Sequence, residues 1–282
     1  MIVDLQEIYF ILSFLLKINR NMKYLKMFEN FSNFDEIKSR FGSRTITESE
    51  FDKIRKENCK NWTKAETSLY RGMPDIGDYI LLDPRKGGGR SSIEDVNVHI
   101  ELLSNLPCWK DYPSYGWSVI GISSESGARG YGEVYEIIPF DNSKIAVCPE
   151  ADIWLSLSNE ESGWGGDIDL VKDFLGELDI DYDVWEQFGG STIESKLKSI
   201  EKIEINNSIS IESFFKRMKE EGFIKSYDNM TGEICYKFIS DFLFNPQKRG
   251  FSLVNYEPGF KIEKNKQIWT EGPVLLIKSK LS

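Results

Sequence analysis

Histidine is almost absent from this 282-residue chain, which contains only His99. Ser-His-Asp hydrolysis and Cys-His chemistry each place a histidine beside a nucleophile, and zinc sites draw on several histidines or paired cysteines. A single histidine therefore nearly excludes these classes of enzyme. Because His99 falls in a predicted amphipathic helix, we expect it to have a structural or surface role.

Cysteines are few and widely spaced. None of the four belongs to a CxxC pair, so the sequence predicts neither a zinc knuckle nor a disulfide framework. This pattern favours a reducing compartment. We expect a cytoplasmic protein and no metal site. The four cysteines are Cys59, Cys108, Cys148 and Cys235.

Positive charge is in deficit. The chain has 35 Lys and Arg against 45 Asp and Glu, which gives a net charge of −10. Such a balance argues against non-specific binding to nucleic acid or to a membrane surface. A small anionic ligand would therefore have to be bound by specific arginines.

Long hydrophobic runs are also missing near the start of the chain. The apolar run at 8–16, IYFILSFLL, is too short to span a bilayer, and acidic rather than basic residues precede it. We expect a helix packed on the domain rather than a signal peptide or an anchor. Met22 and Met27 leave open a later start of translation.

What the chain does contain is enough apolar sequence for a sizeable core, since 40% of its residues are hydrophobic. Changes in its composition and in its helix and strand patterns divide it into three parts. We expect a helical segment at 1–65, a domain built from 66–158 plus 240–282, and an acidic helical insertion at 159–239. The insertion either binds a target or covers a sheet.

Local patterns predict the elements of these parts. Capping-box pairs at Thr47 with Glu50 and at Ser91 with Glu94 predict two helices, over 47–59 and 91–106. Further helices are predicted at 34–41, 167–178, 191–204 and 210–221. Runs typical of strands occur at 68–73, 79–82, 117–122, 133–138, 144–148 and in two halves of 268–277.

The stretch from 118 to 139, SVIGISSESGARGYGEVYEIIP, is central to the prediction of a site. A strand ends at Ser123 and Ser124, and a glycine-containing turn leads into the next strand. Hydroxyls at the end of a strand commonly offer hydrogen bonds to a ligand. The alternative is an ordinary strand–turn–strand connection.

Arginines upstream provide the expected positive charge. Arg71 lies inside the apolar run SLYRGM, where a guanidinium has to be paired or to bind an anion. The segment RKGGGRS at 85–91 combines cations with flexible backbone, which suits a pyrophosphate. A mobile surface loop is the alternative for this segment.

The order of these pieces resembles a known family. The chain reads YRG, then DPRK with a further Arg, then a Ser-rich strand followed by A..YG..Y.IIP, then CP..DIW, NP..RGF and IWTEGP. This set resembles the Arg-Ser-Glu class of mono-ADP-ribosyltransferases, in a phage or bacterial form. If a phage encodes the chain, the expected compartment is the host cytoplasm. The resemblance covers residues 66–157 and 242–278.

The resemblance implies an α+β split fold, in which two facing antiparallel sheets with flanking helices and a helical insertion hold NAD in a cleft. Arg71 would grip the pyrophosphate or the nicotinamide ribose, and Ser123 would hold the pocket by hydrogen bonds. No metal is required. The residues expected to bind NAD are Arg71, Gly72, Arg85, Arg90, Ser123, Ser124 and Tyr131.

The carboxylate departs from the family's pattern. The family carries Glu-x-Glu or Gln-x-Glu on a late strand, whereas here Gln267 is followed two residues later by Trp269. We rank Glu271, at the expected turn, as the first candidate. Gln267 ranks second as a substituted position and Glu263 third.

Two functions follow from the sequence. The first is an NAD-dependent mono-ADP-ribosyltransferase that modifies a macromolecule, expected to be a protein, with nucleic acid not excluded as the acceptor. The second is an inactive version of the same fold that acts as a binding or virion-associated module. The missing Glu-x-Glu favours the second function.

Overall fold

A computed structural model describes residues 42–87, 98–157, 166–178, 209–228 and 230–279. The described residues form a mixed α+β structure with nine strands and seven α-helices. None of these helices is both long and apolar enough to cross a membrane. Three sequence predictions fall on other residues: the helices at 34–41 and 191–204 and the start of the helix at 91.

Seven of the nine strands match predicted runs, and Tyr79–Leu82 has the predicted bounds. These seven runs are mostly apolar and β-branched or aromatic, and they end at polar residues, Gly or Pro. Ser43–Thr45 and Ser252–Asn255 were not predicted. The strands are β1 Ser43–Thr45, β2 Leu69–Met73, β3 Tyr79–Leu82, β4 Val119–Ile122, β5 Glu133–Pro139, β6 Lys144–Val147, β7 Ser252–Asn255, β8 Gln267–Thr270 and β9 Val274–Lys278.

The first helix confirms the capping-box prediction. The Thr47 hydroxyl accepts from the Glu50 backbone at 3.2 Å, and the Glu50 carboxylate accepts from the Thr47 backbone at 3.0 Å. The α-helices are α1 Glu48–Asn58, α2 Val98–Asn105, α3 Glu125–Ala128, α4 Ile153–Leu157, α5 Gly166–Glu177, α6 Ile209–Glu220 and α7 Gly232–Phe238.

All nine strands belong to one antiparallel sheet with the order β1-β3-β9-β5-β2-β4-β8-β6-β7. The expectation of two separate facing sheets is therefore corrected to one continuous sheet. Its five-stranded and four-stranded parts meet at β2 and β4, which share the single residue pair Tyr70–Ile122. We call this place the β2–β4 junction.

The N-terminal segment is not purely helical, in contrast to the prediction for 1–65. Residues Ser43–Thr45 form β1, which pairs with β3 at the edge of the sheet. The Thr45 hydroxyl also donates to the Ile76 carbonyl at 3.1 Å. Tertiary pairing rather than local pattern makes this segment a strand.

The turn after Ser124 is more regular than expected. It contains α3 and a 3₁₀ turn at Arg129–Tyr131 before β5 begins. This short helical segment lies directly on β2, because a Cβ atom at Gly72 would overlap the Ala128 carbonyl oxygen and come within 2.7 Å of the Tyr131 Cβ. Glycine at position 72 thus permits the contact.

The described helices of the acidic region pack onto the sheet. Phe174 of α5 stacks on Phe214 of α6 with ring centroids 3.8 Å apart. Both rings belong to the buried cluster that contains Ile120 of β4 and Trp269 of β8. Of the two interpretations of residues 159–239, these contacts match a cover for the sheet.

We expect Gly72→Ala to destabilise the protein by about 3 kcal/mol, because a methyl group there collides with backbone that cannot rotate away. Gly130→Ala is the matched control, since a Cβ atom at Gly130 meets no atom within 4 Å. Urea unfolding monitored by circular dichroism measures both changes. Equal midpoints for the two variants would contradict the close contact.

Candidate functional site

The candidate site lies around the β2–β4 junction. Three adjacent strands of the sheet meet there. Strand β2 carries Arg71, β4 ends just before Ser123, and β8 begins just after the turn at 263–266. Two of the three predicted classes of residue, the arginine and the serine, therefore belong to neighbouring strands. Whether a carboxylate joins them depends on the register between β4 and β8.

Arg71 is buried, with 5% of its surface exposed. Its Nη1 donates to the Ile120 carbonyl at 2.7 Å and so links β2 to β4 where their ladder has one residue pair. A buried guanidinium needs several acceptors, because its desolvation is costly. Arg71 thus contributes to the junction, and its charge lies at the edge of the four-stranded part.

Ser123 binds the turn before β8 through three hydrogen bonds. Its hydroxyl donates to the Glu263 carbonyl at 2.6 Å and accepts from the Lys266 amide at 2.9 Å. Its own amide donates to the Lys266 carbonyl at 3.0 Å. Asn265 within the turn has φ of 59°, a left-handed conformation that asparagine tolerates well. The position of residues 263–266 is therefore fixed relative to Ser123.

Ser124 and Tyr131 flank the short helical segment on β2. The Ser124 hydroxyl is buried and makes no hydrogen bond within the described part of the chain. Tyr131 ends the 3₁₀ turn, and its Cβ lies against Gly72. The structure thus brings the predicted residues Gly72, Ser124 and Tyr131 to the same side of β2.

Glu271, the first-ranked carboxylate, lies at the other end of the β4–β8 ladder from Ser123. In the ladder Gln267 is opposite Ile122, next to Ser123, and Thr270 is opposite Val119. Glu271 is four residues along the chain from Gln267, which is a distance of about 13 Å. Its carboxylate accepts from the Ser114 amide at 3.2 Å. The structure does not bring Glu271 and Ser123 together.

Glu271 instead forms an ion pair with a second predicted residue. Its Oε1 lies 3.5 Å from Nε of Arg85, whose side chain is 60% exposed. Arg85 belongs to the 3₁₀ turn Pro84–Lys86, which follows β3. Arg90, the further arginine of the same segment, lies outside the described residues.

Gln267 is buried and its amide oxygen is occupied. It accepts from the Ile153 amide, at the start of α4, and from the Cys148 thiol at an S–O distance of 3.7 Å. These contacts join β8 to α4 and to the residue that follows β6. Gln267 thus acts as a structural anchor beside the site.

Glu263, ranked third, is the candidate whose backbone lies against Ser123, because its carbonyl accepts from the Ser123 hydroxyl. Its side chain is 83% exposed, and its carboxylate lies 3.5 Å from the Lys266 ammonium. Sequence reasoning missed Lys266, which also donates through Nζ to the Pro149 carbonyl. The sequence does show a cationic segment, KNK, just before the strand. It does not show that this segment lies at Ser123, because that depends on the strand register.

Cys148 and Asp152 lie next to this end of β8. Burial, together with the nearby charge of Asp152, raises the pKa of the Cys148 thiol well above its usual value. A fully buried neutral thiol is a poor nucleophile. No group of three or more His, Cys, Asp or Glu residues suited to a metal occurs in the described ranges.

Comparison of the chain with protein-family models, with curated proteins and with solved structures found no match.

Burial raises the pKa of Asp152 from 3.8 to about 6, although a hydrogen bond from the Trp154 amide at 2.6 Å opposes the shift. In the unfolded chain this carboxyl ionises near its ordinary pKa of 3.8. Between that pH and about pH 6 the folded protein therefore binds more protons than the unfolded chain. Stability from this group is complete below the unfolded pKa and is lost as pH rises through about 6.

We expect Asp152→Asn to remove this loss, because the amide keeps an acceptor for Trp154 but does not ionise. Relative to the wild type, the variant should gain about 2 kcal/mol of unfolding free energy between about pH 4 and pH 7. Urea unfolding at both pH values measures the gain, with exposed Asp228→Asn as the control. A wild-type-to-variant difference that does not change with pH would refute it.

Proposed function

We propose that this chain is an NAD-dependent mono-ADP-ribosyltransferase whose carboxylate is Glu263, with a protein side chain as the acceptor. The observation that carries the proposal is the strand order β2-β4-β8, since Arg71 lies on β2, Ser123 directly follows β4 and the Glu263 turn directly precedes β8. The motifs quoted from the sequence supply the link to NAD.

Each residue then has a role that its chemistry supports. The guanidinium of Arg71 binds the pyrophosphate or the nicotinamide ribose of NAD, since a planar fork of donors matches paired oxygen acceptors. Ser123 fixes the carboxylate-bearing turn. Glu263, exposed and anionic, stabilises the positive charge that develops on the ribose when the bond to nicotinamide breaks.

The reaction needs no group beyond NAD and the acceptor. The bond between ribose C1′ and nicotinamide breaks, and its electron pair passes to the nicotinamide nitrogen, which leaves as neutral nicotinamide. A nucleophile of the acceptor forms the new bond to C1′ and loses its proton. Water in place of the acceptor gives NAD hydrolysis.

A second function, a noncatalytic binding module of the same fold, has one specific observation in its favour. On the β8 side Ser123 bonds to backbone groups, the Glu263 carbonyl and the amide and carbonyl of Lys266, while the Glu263 carboxylate lies 3.5 Å from the Lys266 ammonium. Glu271 and Gln267 meanwhile make contacts to Ser114, Arg85 and Ile153. In this alternative the chain binds NAD without releasing nicotinamide.

We expect Glu263→Gln to lower nicotinamide release and label transfer about a hundredfold, or about 3 kcal/mol, while NAD affinity stays nearly the same. A neutral amide keeps a hydrogen bond to a ribose hydroxyl but loses the charge that matters once the ribosyl cation forms. Glu271→Gln is the control and should retain turnover, because Glu271 lies at the far end of the ladder.

The measurement combines calorimetry of NAD binding, nicotinamide release and mass spectrometry of cell extract incubated with labelled NAD. Loss of activity in Glu271→Gln but not in Glu263→Gln would assign the chemistry to the opposite end of β8. NAD binding by the wild type without any nicotinamide release would establish the noncatalytic alternative. Label recovered on nucleic acid would replace the protein acceptor.

A further inference from the structure

Lys266 is held at the site by contacts to both backbone and side chain. Its side chain is 22% exposed, whereas that of its ion-pair partner Glu263 is 83% exposed. The ammonium donates to the Pro149 carbonyl and lies 3.5 Å from the Glu263 carboxylate. The carboxylate thus reaches from solvent toward a cation that the protein itself holds in place.

The backbone fixes where this ion pair lies. Ser123 binds the carbonyl of Glu263 and both backbone groups of Lys266, so the two side chains leave the turn at positions set by β4. The side chains have more freedom than the backbone, because an exposed carboxylate keeps most of its hydration. The ion pair is therefore weak and readily exchanged.

A pyrophosphate group would compete with Glu263 for this ammonium. Phosphate oxygens accept charge-assisted hydrogen bonds from lysine, and a dinucleotide carries two phosphate charges against the single charge of the carboxylate. Exchange would leave Lys266 on the pyrophosphate and release the Glu263 carboxylate. A nicotinamide riboside, which has the same scissile bond but no phosphate, offers nothing for this exchange.

We propose that Lys266 selects pyrophosphate-containing dinucleotides and, by binding the pyrophosphate, frees Glu263 to turn toward the ribose. This inference rests on the function proposed above and adds the determinant of its substrate class. Lys266 is in this view a direct ligand of the substrate, and in the free protein it holds Glu263 in the ion pair. The ion pair is the resting contact of the free protein.

The test compares binding of NAD and of ADP-ribose to wild type, Lys266→Met and Lys266→Arg by calorimetry. We expect Lys266→Met to weaken both ligands about tenfold or more, the usual effect of losing a charged hydrogen-bond partner. Lys266→Arg should retain binding. The matched control is Lys264→Met, which removes an exposed cation from the same turn and should leave both affinities unchanged.

Two further readouts separate a role in binding from a merely structural one. In turnover assays Lys266→Met should raise KM for NAD and leave kcat unchanged, because Glu263 is already free in that variant. In the wild type, inorganic pyrophosphate should slow reductive methylation of Lys266 but not of Lys264. This labelling needs no substitution and so does not depend on a variant's folding.

The binding results distinguish failure of the role of Lys266 from failure of the proposed function. NAD binding that is equally tight in wild type and Lys266→Met overturns this inference and leaves the proposed function in place. Equal weakening by Lys264→Met also overturns it, because the effect would then be general charge. A wild type that binds neither NAD nor ADP-ribose removes the proposed function, and this inference with it.

Discussion

The close approach of β2 to β4 is the constraint on which the rest of the structure depends. One residue pair, Tyr70–Ile122, joins the two strands, and a Cβ atom at Gly121 would lie 2.7 Å from the Tyr70 carbonyl oxygen. Bulk at Gly72 is likewise excluded by the helical segment packed on β2. Two positions without side chains therefore let nine strands form one sheet and set Arg71 beside β4.

The strands and the capped first helix could be predicted from the sequence because their signals are local. Tyr79–Leu82 is a compact apolar run, and Thr47 with Glu50 supplies both halves of a capping box. The strand Ser43–Thr45 has no such signal, since three mixed residues become a strand only by pairing with β3. The helix Glu125–Ala128 is also too short to form without its contact to β2.

The site was predictable in its residue types but not in its pairing. An arginine in an apolar run had to find a partner, and Arg71 donates to a backbone carbonyl of the neighbouring strand. Which candidate residue lies beside Ser123 is decided by the register of β4 on β8, because each step along a strand moves a side chain by about 3.4 Å. The sequence ranks Glu271 above Glu263, whereas the register sets Glu263 at the Ser123 end and Glu271 at the opposite end.

The same register places the backbone of Lys266 opposite Ser123. As one cation in a charged segment it has the appearance of a solvated residue, and only the hydrogen bonds to Ser123 reveal that it lies at the site. Its ion pair with Glu263 joins a partly buried group to an exposed one. Such a pair contributes little to stability.

The shared core of helices and strands determines how the protein loses its structure. Phe174 and Phe214 lie in one buried cluster with Ile120 and Trp269, so α5 and α6 share their core with β4 and β8. Detaching these helices would expose that apolar side of the sheet, and exposed apolar patches favour aggregation. We therefore expect α5 and α6 to unfold together with β4 and β8, so that quality control in a cell meets these elements either packed or open as a group.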